Sequence, residues 1–181
     1  MNKMDIKKEF SSNKTLLLLV PGLEYNSLIV DVVRDLSDKD ICYVTLNKTS
    51  DSLKDIFKKN KINAEKIVFI DGISKTIKKS PDQTEGCYFV SSPGALTELS
   101  LAINKFLKHK FDYVIFDSIT NLEIYQKKAP VEKFLSSLIN NIKETETKAL
   151  FYALKTGEQD PLISKASMFV DKVIDLEKSG S

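Results

Sequence analysis

Residues 15–36 read TLLLLV-PGLEYNS-LIVDVVRDL: an apolar run, a short polar loop, then an amphipathic stretch. Thr15–Val20 is apolar on both faces, as a central strand of a parallel sheet must be. In the stretch that follows, Ile29, Val32, Val33 and Leu36 recur at helical spacing, so a helix is predicted there with Asn26 or Ser27 as its cap. About a hundred residues on, FDYVIFDS (111–118) gives a second apolar strand, ending in Asp117.

The rest of the chain continues the alternation. Ile41–Leu46 is a predicted strand. Helix 51–59 follows it, with Ser50 as cap and Asn60 suited to the left-handed position past its end. KIVFID (66–71) is the next strand. Residues 72–86 are polar and read as a loop, and Tyr88–Val90 as a short strand. Ser92 and Pro93 start a helix that turns Leu96, Leu99, Ile103, Phe106 and Leu107 inward. Strand Tyr113–Phe116 leads to Asp117, and Pro130 opens a helix with an apolar face from Val131 to Ile142. Ala149–Leu154, a short helix opened by Asp160 and Pro161, and Val170–Leu176 complete the pattern. Such repeated strand–helix units predict an α/β fold, a mostly parallel sheet with helices on both faces. Ligands of such sheets sit beyond the carboxyl ends of the strands, where residues 21–27, 47–51 and 117–121 bring polar groups. One domain is expected over 15–177, preceded by an extension, 1–14, and followed by a tail, 178–181.

Composition narrows the function only modestly. The chain has 181 residues and a net charge of +2, which gives no case for a general nucleic-acid binder. Its basic residues are 26 lysines and a single arginine, Arg34, so at most one bidentate guanidinium is available. Cys42 and Cys87 lack metal-ligand spacing and read as buried thiols. His109, the one histidine, lies between two lysines at a predicted helix end. The lysine runs at 58–61 and 78–79 read as solvated faces, and Lys75, Lys78 and Lys79 share a loop that could meet an anionic partner. The apolar run Leu16–Val20 is far shorter than the ~20 residues a membrane span needs. The first ten residues carry no hydrophobic signal region. A cytoplasmic protein without a metal is expected.

A strand, a loop and a helix are also the frame in which G-x-x-x-x-G-K-[ST] cradles nucleotide phosphates. Here that loop has one glycine, Gly22, and no lysine. A phosphate nest needs backbone N–H groups at close approach, and Leu23 and Tyr25 carry side chains that would crowd it.

The order of segments resembles the RecA/KaiC-like ATPase family from about Thr15 to Glu177. CYVTLNKTSDSLKDIFKK (42–59) is similar to the family's strand that ends in glutamates before a helix. KIVFIDG (66–72) resembles the strand after it, and FDYVIFDSITNL (111–122) its Walker B strand with an Asp-Ser pair. KALFYAL (148–154) and VDKVIDLE (170–177) follow in the expected order. The resemblance implies a three-layer RecA-like sheet. Aligned without gaps, Ser27 falls at the magnesium-binding Ser/Thr, Asn26 at the invariant lysine and Tyr25 at the preceding glycine. Asn47 and Lys48 fall at the catalytic glutamates, and neither is a carboxylate base. Asp117 and Ser118 match the Walker B pair. Asp117 is then either a remnant of magnesium chemistry or a strand-end residue that hydrogen-bonds its own turn. The peptide after it is one that relatives can hold in cis.

Three functions follow from the resemblance. One is a non-catalytic domain, a pseudo-ATPase with a degenerate Walker A site, acting in protein interaction or regulation. Its partner would be a protein, a second copy or an active KaiC-like relative, with neither membrane nor nucleic acid involved and no cofactor. Another is a divergent ATP-binding ATPase, which alone would call for ATP and Mg and for a further cation near residues 21–27. The last is a small-molecule sensory domain. The first accounts for the loss of lysine and glutamates together with an intact fold.

Overall fold

A computed structural model describes residues 4–155 and 160–177; the predicted tail, 178–181, lies outside them. The chain runs α1 (Ile6–Ser12), β1 (Thr15–Pro21), α2 (Tyr25–Leu36), β2 (Ile41–Thr45), α3 (Ser50–Lys59), β3 (Ile67–Asp71) and α4 (Ser74–Ile77). It continues with β4 (Gln83–Thr84), β5 (Cys87–Phe89), α5 (Leu96–Lys108), β6 (Tyr113–Asp117), a single 3-10 turn (Ile119–Asn121) and α6 (Leu122–Tyr125). Helix α7 (Lys128–Lys143), β7 (Lys148–Lys155), α8 (Pro161–Ser167) and β8 (Lys172–Asp175) complete it.

Eight strands form one sheet in the order β4-β5-β3-β2-β6-β7-β1-β8. Every pairing is parallel except β4 with β5. Helices cover both faces. Ile6 and Phe10 of α1, the α2 face and Leu53 and Phe57 of α3 pack with Leu16, Leu18, Tyr43, Phe69, Ile115 and Tyr152. On the other side α5, α6, α7 and α8 pack on Leu17, Val44, Val114, Phe116 and Phe151. The alternation of strand side chains between faces sends neighbouring residues of each apolar run into different cores.

Several local expectations change. Residues 1–14, read as an extension, contain α1, whose Ile6 and Phe10 are buried in the same cluster as α2. Asn26 and Ser27 do not cap α2: the tight turn Pro21–Glu24, closed by Glu24 N–H donating to Pro21 O at 3.0 Å, starts the helix at Tyr25. Thr49 caps α3 instead of Ser50, whose N–H is given to Asp71 Oδ2 at 2.7 Å. The left-handed residue after α3 is Lys61, at φ 56°, because Ile62 N–H reaches back to Phe57 O and closes the helix end one residue later than Asn60. Ser92 and Pro93 lie before α5 in a turn closed by Ala95 N–H on Ser92 O, so the helix starts at Leu96. The polar stretch 72–86 holds α4 and β4. Two of its lysines are paired, Lys75 with Asp82 and Lys78 with Asp51.

Candidate functional site

The connection from β1 to β2 carries α2 past β7 and β6, which lie between those strands in the sheet. The first residue of α2 therefore sits over the carboxyl ends of strands that are remote in sequence. This is the place where doubly wound sheets bind ligands. Only residues 22–24 separate β1 from α2. Counting the phosphate-loop pattern back from Ser27 puts its first glycine on Val20, inside β1 and paired with Leu154.

Tyr25, at the start of α2, is buried and turns its ring inward. Its hydroxyl donates to Asp117 Oδ2. Tyr43 of β2 donates to the same oxygen at 2.7 Å. Asp117 is wholly buried, and its second oxygen, Oδ1, has no hydrogen-bond partner. On β7, the wholly buried Tyr152 likewise has an unpartnered hydroxyl. Tyr152 is the residue after Phe151, which is paired with Phe116, just as Asp117 follows Phe116. One carboxylate thus lies among three tyrosines from α2, β2 and β7.

The electrostatics follow from that burial. Desolvation is the main cause that pushes the Asp117 carboxyl up to about 6, while the Tyr25 and Tyr43 phenols and the charge on Lys48 pull the other way. Burial first, and then the charge on Asp117, raises Tyr25, Tyr43 and Tyr152 far above the ordinary phenol value. All three stay neutral donors at any physiological pH. The Lys48 ammonium sits 5.8 Å from the centre of the Tyr25 ring.

Beside this cluster lies a second polar network. Asn121 donates to Leu46 O at 2.7 Å and to Asn47 Oδ1 at 3.2 Å. Ser118 Oγ lies 3.0 Å from Thr120 Oγ1 and donates to Asn121 Oδ1 at 3.3 Å. The Asp117–Ser118 peptide is cis. These groups pin the turn after β6 against the end of β2.

Of the residues singled out in the sequence, Tyr25, Lys48 and Asp117 come together, with Asn47 and Ser118 in the adjoining network. Gly22, Asn26 and Ser27 face solvent, and Ser27 Oγ donates to Glu24 O at 2.9 Å within its own turn. Leu23 is fully exposed and crowds nothing, because the tight turn throws its side chain outward. Asp117 departs from the expectation that it hydrogen-bonds its own turn. Its carboxylate accepts from two phenols of other elements, not from its own turn. Tyr43 and Tyr152 were hidden among apolar neighbours. The one available signal was a phenol inside an otherwise apolar strand, which needs a polar partner when buried.

Among the described residues no helix is long and apolar enough to cross a membrane, and no three or more acidic, His or Cys side chains cluster as metal ligands would. The fold is similar to that of the KaiC-like protein PH0186 of the hyperthermophilic archaeon Pyrococcus horikoshii OT3. The TM-score is 0.62 over 90% of this chain and 72% of that one, at 13% identity. The RecA/KaiC-like architecture implied by the segment order is therefore present. No curated protein matches the sequence. Residues 8–181 match a family of unknown function, DUF7090, and the chain belongs to that family.

Proposed function

We propose that this chain is a non-catalytic KaiC-like domain, a pseudo-ATPase that acts in the cytoplasm through protein interaction or regulation. The observation that carries the reading is the Tyr25 phenol seated on the Asp117 carboxylate. In a working site that carboxylate would face a metal and its waters. Here phenols of the chain itself occupy one of its oxygens, Oδ2. The absence of a lysine at Asn26 and of a carboxylate at Asn47 and Lys48 supports the same reading, since phosphoryl transfer rests on positioned charge. The partner is a protein: a second copy or an active KaiC-like relative.

The test is direct. Purified protein is titrated with a labelled ATP analogue and assayed for phosphate release with Mg present. Neither saturable binding nor turnover above background is expected. Sustained turnover that disappears in Asp117→Ala would overturn the proposal.

One observation favours a second reading, a divergent nucleotide-binding domain. That reading needs a cation near residues 21–27, and Lys48 lies over the Tyr25 ring. Saturable analogue binding lost in Lys48→Met would support it over the first.

A further inference from the structure

Asp117, Tyr25 and Lys48 are stacked in a way that leaves one of them displaceable. Asp117 is a buried carboxylate with one oxygen that accepts nothing. Tyr25 covers it, and the Lys48 ammonium lies over the Tyr25 ring. Lys48 has no ion-pair partner among the described residues, although its charge acts on Asp117. Its backbone is pinned: Thr45 Oγ1 donates to Lys48 O at 2.5 Å and accepts from Lys48 N–H at 3.3 Å. The movable part is therefore the side chain, a flexible stem with a compact charge.

The cover is weakly fixed. Tyr25 is the first residue of α2, and the cap residue before it, Glu24, makes no side-chain cap bond. A buried Glu24 oxygen, Oε2, is itself unpartnered. The preceding turn is closed by the single backbone bond from Glu24 to Pro21, and Leu23 projects fully into solvent. By contrast, the other groups around the carboxylate are held in strands: Tyr43 in β2 and Tyr152 in β7, both wholly buried.

We propose that Tyr25 and Lys48 compete for Asp117, so that the first turn of α2 is one half of a two-state latch. In the described state the phenol holds the carboxylate and the ammonium rests on the ring. In the other state Tyr25 swings outward with the α2 start, and the Lys48 ammonium takes its place as an ion pair with Asp117. The exchange keeps the buried carboxylate partnered in both states, which removes the main penalty for opening a buried charge. It also ties the strand ends to a surface turn that carries an exposed leucine. A ligand or partner that grips that turn needs only to prefer one state to shift the balance. This goes beyond the reading of function above and does not depend on it.

Two measurements test it, and the first leaves Tyr25 in place. The Leu28 amide, whose bond to Glu24 O spans 3.0 Å across the first turn of α2, reports opening by hydrogen exchange. Lys48 stabilises the open state in this scheme, so Lys48→Met should slow exchange at Leu28 severalfold. Unchanged or faster exchange would overturn the proposal, the faster result meaning that Lys48 only braces the Tyr25 ring. The second uses Tyr25→Ala, in which the cover is gone. Its crystal structure should show the Lys48 ammonium within ion-pair distance of Asp117. Lys48→Met should lower the denaturation midpoint more in that background than in the natural sequence. A Lys48 that stays outside, with equal effects in both backgrounds, would sink the idea. Should Tyr25→Ala fail to fold, the exchange measurement decides alone.

Discussion

Tyr25 and Asp117 stand 92 residues apart in the chain, yet the phenol of one donates to the carboxylate of the other in the interior of the fold. The contact joins the start of α2 to the end of β6. It places a tyrosine where the ungapped alignment puts a phosphate-loop glycine.

Tyr25→Phe keeps the ring and deletes the donor. A hydrogen bond to a charged group contributes about 1.5–3 kcal/mol, and Tyr43 would remain as the other donor. The variant should lose roughly 2 kcal/mol in urea unfolding, with an unchanged denaturant slope. A loss below about 0.5 kcal/mol would show that the phenol adds nothing beyond its packing.

The pH dependence has a definite sign. Asp117 is raised in the folded state, from an ordinary 3.8 to about 6. Its neutral form is favoured by folding, so this contribution is fully present below pH ~4 and is lost as the pH rises through ~6. The shift corresponds to about 3 kcal/mol. Asp171 and Asp71 are lowered and act in the opposite sense, so the difference from Asp117→Asn isolates the effect. Unfolding free energies of the two proteins, measured from pH 4 to 8, should diverge in the variant's favour as the pH rises. Parallel curves would refute the buried, raised carboxyl.

Asp71 is a different kind of buried acid. Burial alone would raise it, but the Ser50, Ser74 and Ile73 N–H groups and the Ser74 hydroxyl hold it below its ordinary value. Those bonds run from 2.7 to 2.8 Å and tie the starts of α3 and α4 to the end of β3. Asp71→Ala strips all of them and should cost about 3 kcal/mol or more, in the range of a broken buried network. Thermal unfolding of the variant checks this.

Phe10→Ala tests whether α1 belongs to the core. Phe10 is fully buried and its ring centre lies 5.0 Å from that of Tyr113. Truncation should cost about 3–5 kcal/mol, the usual range for a buried aromatic. A change near zero would mean that the helix docks without stabilising the sheet.

The architecture is legible in the sequence because its signals are local. A strand buried on both faces must be apolar at successive positions, as in Leu16–Val20, and a covering helix must repeat at 3.6, as from Ile29 to Leu36. The order of these segments sufficed for the sheet, its parallel character and the helices on both faces. Element ends were less legible. Ser50, Ser92 and Asn26 are good caps by type, but the tight turn after Pro21, the pull of Asp71 and the turn before Leu96 moved each start.

Positions in the sequence picked out Tyr25, Lys48 and Asp117 separately, as departures from or matches to a pattern. What joins them is the route of α2 across β7 and β6, together with the strand order that sets β2, β6 and β7 side by side. Local sequence carries the period and the polarity of each element. The meeting of Tyr43, Tyr152 and Tyr25 around one carboxylate depends on contacts between residues far apart in the chain, and only packing the elements together brings them into reach.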